Sequence, residues 1–207
     1  MGINLKIKEI KTMKSVLSKE IGWSWPIFLI KCLVKKSFVF RNTTWRNKKG
    51  PETQFIKRLS FAATLYLKLK EKFNQEKANE IIREVLIPIG CAEQWEHLRS
   101  LKVPNREPME QLMAFNDLMD KKGAPQFNKR EYVKQSDNIC YFVITRCVFN
   151  DFFTETGTPE LTKLFCEVDR EFFPKAFPDF KFHRGSSWEN TISCRKDHCE
   201  FIFEKNK

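Results

Sequence analysis

Between Ile139 and Phe173 the sequence switches its hydrophobic period from strand to helix, and that switch constrains the fold more than any other feature. Tyr141 to Val148 is apolar except for Thr145 and Arg146, and is short enough for an inner strand. Asn150 offers a cap for a turn of helix through Phe152 and Phe153, which Gly157 ends. Thr158-Pro159-Glu160 then opens a second helix with a capping hydroxyl, Pro at the first helical position and an acid in the first turn. A strand that feeds straight into helices needs a sheet with helices laid against it.

On the second helix Leu161, Leu164, Phe165, Val168 and Phe172 share one stripe, its core face. Thr162, Cys166, Asp169 and Phe173 form another line, turned about 110° from the first. A thiol and a carboxylate three residues apart are neighbours on a helix surface. They sit at the edge of the core, where a pocket wall would be. A filler cysteine beside a solvated aspartate has the same spacing, so both readings stand.

The rest of the chain builds the layers around this stretch. Ile3 to Ile21 reads as an amphipathic helix, with Ile3, Ile7, Ile10, Met13, Val16 and Leu17 in phase. Gly22-Trp23-Ser24-Trp25-Pro26 breaks it. Ile27 to Phe38 follows as helix or strand, and Arg41 to Pro51 as an exposed loop. Phe55 to Phe73 is a helix, closed at Asn74. Glu76 to Ile87 is another, interrupted at Pro88 and resumed from Cys91 to Leu101. Pro108 to Asp120 is a shorter one. Strand character then takes over at Phe127 to Gln135, Ile139 to Val148, Phe180 to Arg184 and Cys199 to Phe203, with Asp137-Asn138 as a hairpin turn. The expected fold is α+β, a small antiparallel sheet of about four strands covered by helices. An N-terminal helical arm over residues 1–50 precedes a single domain over 51–207.

Charge divides the chain unevenly. The first 60 residues hold 14 of the 37 Lys and Arg but only 3 of the 26 Asp and Glu, so the whole net charge of +11 lies there. Ordinary solubility accounts for such an arm, ahead of contact with a membrane surface or nucleic acid. Trp23, Trp25 and Trp45 could stack on bases, yet the neutral remainder gives no electrostatic basis for holding a polyanion. The N-terminal helix and Trp-rich segment also suit a homodimer. The 7 cysteines lack the spacing of a disulfide scaffold, and the Lys-rich start has no apolar leader. Pro26 to Phe40 is interrupted by Lys31, Lys35 and Lys36 and is too short to span a bilayer. The expected compartment is the cytoplasm.

A Gly-rich phosphate loop, a nucleophile elbow and paired CxxC motifs are all missing, which argues against nucleotide-dependent and zinc-finger chemistry. Glu93 and His97, one turn apart, read as a solvated helix pair. The chemistry-bearing set is Cys147, Cys166, Asp169, His183, Arg184, His198 and Cys199. It allows a thiolate attacking an electrophilic C=N or C=O carbon, or a metal held by Cys with Asp or His that activates water. Buried free cysteines that simply fill space remain the plain alternative.

Cys147, Gly157-Thr158-Pro159-Glu160-Leu161, Cys166-Glu167-Val168-Asp169, Arg184 and Cys199-Glu200-Phe201 together resemble the L-2-amino-thiazoline-4-carboxylic acid hydrolase family. That family has a Cys before a G-x-P-E-L turn, a C-x-x-D helix, an Arg and a closing C-D-F strand. Phe55 to Met119 matches only in general character. Two departures stand out: Glu200 replaces the usual Asp, and the Gly a few residues before the closing Cys is missing, with Cys194 and Arg195 in its neighbourhood. The resemblance implies hydrolysis of a small cyclic amidine, a thiazoline carboxylate or a related C–N or C–S bond. It implies Cys166 or Cys199 as nucleophile or ligand, Asp169 as base or amidinium anchor, Arg184 as carboxylate clamp, Cys147 beside the substrate and His198 as proton shuttle. No cofactor is needed on the thiolate route, and a divalent metal on the other. A retooled enzyme of specialised metabolism, or a module that binds a small molecule without turning it over, are the alternatives.

Overall fold

Helix α7 (Glu160–Ala176) and the strands around it realise the pattern that the sequence announces. In the computed structural model residues 3–101 and 107–206 are described, with side chains from Leu5 onward, so the side chain of Ile3 lies outside the described set. The chain forms two units, residues 1–92 with 152–165 and residues 93–151 with 166–207. The boundary expected at residue 50 falls inside the first unit.

The first unit is helical. α1 (Ile3–Ile21) ends at Gly22, whose φ of 60° suits a residue without a side chain. α2 (Trp25–Arg41) follows after one 3₁₀ turn and lies on α3 (Pro51–Lys70). Ile27 to Phe38 is therefore helix, not strand. The segment expected as an open loop, Arg41 to Pro51, is pinned instead. Trp45 is buried edge-on to Phe152 at 6.1 Å, and Thr44 donates its backbone N–H and hydroxyl to the Glu155 carboxylate at 2.6 and 3.2 Å. Burying one such aromatic is worth about 1.5–3 kcal/mol. α4 (Gln75–Ser100) runs straight through Pro88, where a break was expected. Ile81, Ile82 and Val85 before the proline and Ala92 after it continue one buried face, which outweighs the single lost backbone hydrogen bond.

The second unit holds the sheet. Its strands are β1 (Lys129–Ser136), β2 (Ile139–Arg146), β3 (Phe180–His183) and β4 (Cys199–Lys205), antiparallel in the order β1-β2-β4-β3. Ile144 faces Cys199 and Phe182 faces Phe203 across neighbouring strands. Cys140, Phe142 and Ile144 alternate inward along β2. β1 is an exposed edge whose charged residues discourage further pairing. It starts at Lys129, because Ala124–Phe127 is a 3₁₀ turn. Phe173 of α7 and Phe177 just after it, with Phe115 of α5 (Pro108–Lys122), join the sheet aromatics in the core: Phe173 stands 4.9 Å from Phe203 and 4.7 Å from Phe182.

Two expected caps are wrong. α6 (Val148–Glu155) starts before Asn150, directly after Cys147, and its first amide is capped by the Asn128 side chain at 2.9 Å. Thr158 does not cap α7: its hydroxyl turns back to the Phe153 carbonyl at 3.4 Å and lies 2.9 Å from the Thr156 hydroxyl. At α6 the local side chain is displaced by a better-placed partner, and at Thr158 the hydroxyl is taken by the preceding turn.

Candidate functional site

All four cysteine and acid positions singled out on sequence, together with Arg184, fall in the second unit. Asp169 is their centre. It leaves the core edge of α7 with a fifth of its side chain exposed and accepts from Arg184 Nη2 at 2.9 Å and from Gln94 Nε2 at 3.3 Å. Burial pushes the Asp169 carboxyl above its ordinary value, and the Arg184 charge pulls part of that back.

Arg184 follows β3 and is only 1% exposed. Its Nη1 donates to the Glu200 carbonyl at 3.2 Å, and its guanidinium lies over the Phe201 ring at 4.1 Å. Its Nε is buried without a partner among the described residues, as is Gln94 Oε1. The guanidinium is therefore engaged with Asp169 and a backbone carbonyl, and stands away from solvent. A clamp for an incoming carboxylate needs an exposed fork, which this arrangement does not present.

The backbone around Arg184 is fixed from both sides. Gly185 takes a φ of 65°, and a side chain there would run into Glu200 Oε2. Asn190 Nδ2 donates to the Arg184 carbonyl and to Glu200 Oε2, each at 2.9 Å. The Tyr141 hydroxyl donates to Glu200 Oε1 at 2.7 Å. Glu200, which departs from the family's usual Asp, thus ties β2, β4 and the loop after β3 together. Arg195, near the missing family Gly, adopts a φ of 65° itself. The chain keeps a glycine-type turn without the glycine.

The three thiols surround this frame. Cys166 Sγ lies 3.8 Å from the Ser193 hydroxyl, which is 2.8 Å from that of Thr191. Cys199 Sγ accepts the Ile192 backbone N–H at 3.1 Å. Cys147 precedes α6, and the Asn150 and Phe149 amides reach its sulfur. Burial nevertheless dominates: it pushes Cys147 and Cys166 up to about 12 and raises Cys199 as well. All three are protonated at neutral pH, so a nucleophilic thiolate has to be made at the moment of attack. Among the described residues no three His, Cys, Asp or Glu side chains converge as a metal-binding group.

His198 is exposed on the loop before β4, and among the described residues no hydrogen bond joins it to the cluster. His183 lies within 3.2 Å of the Gly185 carbonyl through Nδ1. Sequence reasoning missed Gln94, Tyr141, Asn190 and Ser193. The first lies 75 residues from Asp169 and belongs to no motif, so only the folded chain reveals it.

A family model described as L-2-amino-thiazoline-4-carboxylic acid hydrolase matches residues 53–203. Comparison with curated proteins finds no match. Among solved structures, the Fe(II) unliganded H-NOX protein from K. algicida is 8% identical with a TM-score of 0.36, covering 96% of this chain and 95% of that one. A mutant of the same protein is 9% identical at 0.34, over the same shares of the two chains. Scores this low carry no argument about this chain.

Proposed function

The chain belongs to the L-2-amino-thiazoline-4-carboxylic acid hydrolase family, and on that premise we propose that it hydrolyses a small cyclic amidine or a related C–N or C–S bond. The observation that supports this reading is Asp169: a partly exposed carboxylate, oriented by Gln94 and a buried Arg184, one turn along α7 from Cys166. Cyclic amidines carry a cation that a planar carboxylate pairs with well. Opening a 2-aminothiazoline adds the oxygen of water to C2 and breaks the C2–S bond. One water proton ends on the ring nitrogen and the other on the departing sulfur.

Within that reaction Asp169 does two jobs in sequence. It holds the amidinium, and it accepts the Cys166 proton as the sulfur attacks C2. Burial suits it to the second job, because a carboxyl with raised proton affinity takes a proton from a thiol more readily. The same proton then goes to the leaving ring sulfur, and water releases the bound carbon from Cys166. Arg184 is a positioning residue for Asp169. The substrate's own carboxylate has to find another donor, and the Ser193 hydroxyl, 3.8 Å from Cys166 Sγ, is one that the loop provides.

A module that binds such a ligand without turnover is favoured by one feature, the burial that pushes the Cys147 and Cys166 thiols up to about 12. Incubating the purified protein with 2-aminothiazoline-4-carboxylate and following the ring-opened product by mass spectrometry separates the two. Turnover that is lost in Asp169→Asn and Cys166→Ala supports the hydrolase. Retention of the ring compound without product supports the binding module. Turnover undiminished in both folded variants removes the site.

A further inference from the structure

α2 is apolar on both sides, and only one of them is used. Cys32 and Phe40 are buried, with Phe28, Leu29 and Val39 half-buried beside them. On the other side Ile27, Ile30, Val34 and Phe38 stand open to solvent, Val34 at 72% and Phe38 at 68%. At 100° per residue these four fall within an arc of about 80°, turned away from the buried side. Ile7 and Ile10 of α1 are exposed as well, and Trp23 at the turn between the two helices is 99% exposed. A helix apolar all round belongs in a core or against something hydrophobic. A contiguous open stripe of this kind marks an interaction surface.

Charge identifies the occupant. α2 carries Lys31, Lys35, Lys36 and Arg41 and no acid; Lys31 borders the open stripe and Arg41 stands at its C-terminal end. α1 adds Lys6, Lys8, Lys11, Lys14 and Lys19 against Glu9 and Glu20. A second copy paired about a twofold axis would set one strongly basic face against another, which repels. A surface that offers hydrocarbon beneath negative charge meets both demands together. Basic flanks, an apolar stripe and an aromatic at the margin are the features of a helix lying in a lipid interface. Among the described residues no helix is long and apolar enough to cross a bilayer, so the contact is peripheral.

We propose that the α1–α2 face docks on anionic lipid bilayers through Ile27, Ile30, Val34, Phe38 and Trp23, with the flanking Lys and Arg on the headgroups. The test is co-sedimentation of the full chain with vesicles of phosphatidylcholine alone or mixed with phosphatidylserine, at low and high salt, alongside Ile30→Asp/Val34→Asp. Binding is expected to the mixed vesicles only, to weaken with salt, and to fall more than about tenfold in the double variant. The Trp emission should shift to the blue on binding. Wild-type protein that stays in the supernatant with the mixed vesicles overturns the proposal, whether or not the variant folds. So does binding that the double variant retains in full. A wild-type dimer that the double variant converts to monomer, without lipid binding, assigns the face to a second copy instead.

Discussion

The two units break the rule of apolar inside and polar outside in opposite ways. The second unit buries a guanidinium and half-buries its carboxylate partner, while the first leaves five aliphatic and aromatic side chains of α2 in water. Neither arrangement helps a chain to fold. A buried pair balances its own desolvation at best, and an open apolar stripe gains nothing until it is covered. Places where sequence and burial disagree are therefore where function is to be sought. The difference between the units lies in what each departure demands. One needs a partner inside the fold and already has it; the other needs a partner from outside.

That contrast is broken most directly by mutation. Arg184→Ala leaves Asp169 beside an empty site and should destabilise the protein by about 3–5 kcal/mol in urea unfolding, as removal of one member of a buried pair does. Ile30→Asp/Val34→Asp, on the open stripe, should leave the midpoint of the same curve within about 0.5 kcal/mol of wild type. If the two variants fall equally, the α2 stripe is part of the core and the contrast is lost.

A pH series sharpens the same point at Asp169. Because burial raises its proton affinity in the fold, the native state keeps a proton at pH values where the unfolded chain has lost it. The stability this contributes is complete below the ordinary Asp range and disappears as pH rises through the raised value. Turnover that needs the carboxylate to accept a proton rises over that same window. Stability and activity should therefore run in opposite directions with pH. In Asp169→Asn, which has no turnover to follow, the matching decline in stability should vanish. An acid limb at the ordinary Asp position would show that burial does not govern this group.

How much of this could be read from the chain varies with the range of the interaction. The stripe of α7 and the alternation of β2 are local periodicities, and both elements formed with Leu161, Val168, Phe142 and Ile144 inside. The pairing of Asp169 with Arg184 was legible as a set of chemical types but not as geometry. A guanidinium in a sequence does not say whether its donors are free, and here the Glu200 carbonyl and Asp169 take them. Gln94 was invisible because nothing near it in sequence marks it. The break expected at Pro88 failed for a related reason: local propensity was overruled by a buried face that continues on either side.

The smallest effect separates two residues that share one φ angle. Gly185 and Arg195 both have φ 65°, one with a glycine and one without. Gly185→Ala adds a side chain against Glu200 Oε2 and in a left-handed position, and should cost about 1–2 kcal/mol or more. Arg195 already carries that backbone cost on an exposed turn. Arg195→Gly relieves it, offset by the extra freedom of glycine in the unfolded chain, so a gain of up to about 1 kcal/mol is expected. The measurement is the shift of the urea midpoint at constant slope. A loss of stability in Arg195→Gly would mean that the arginine side chain, and not only the turn, holds the loop that brings Ser193 to Cys166.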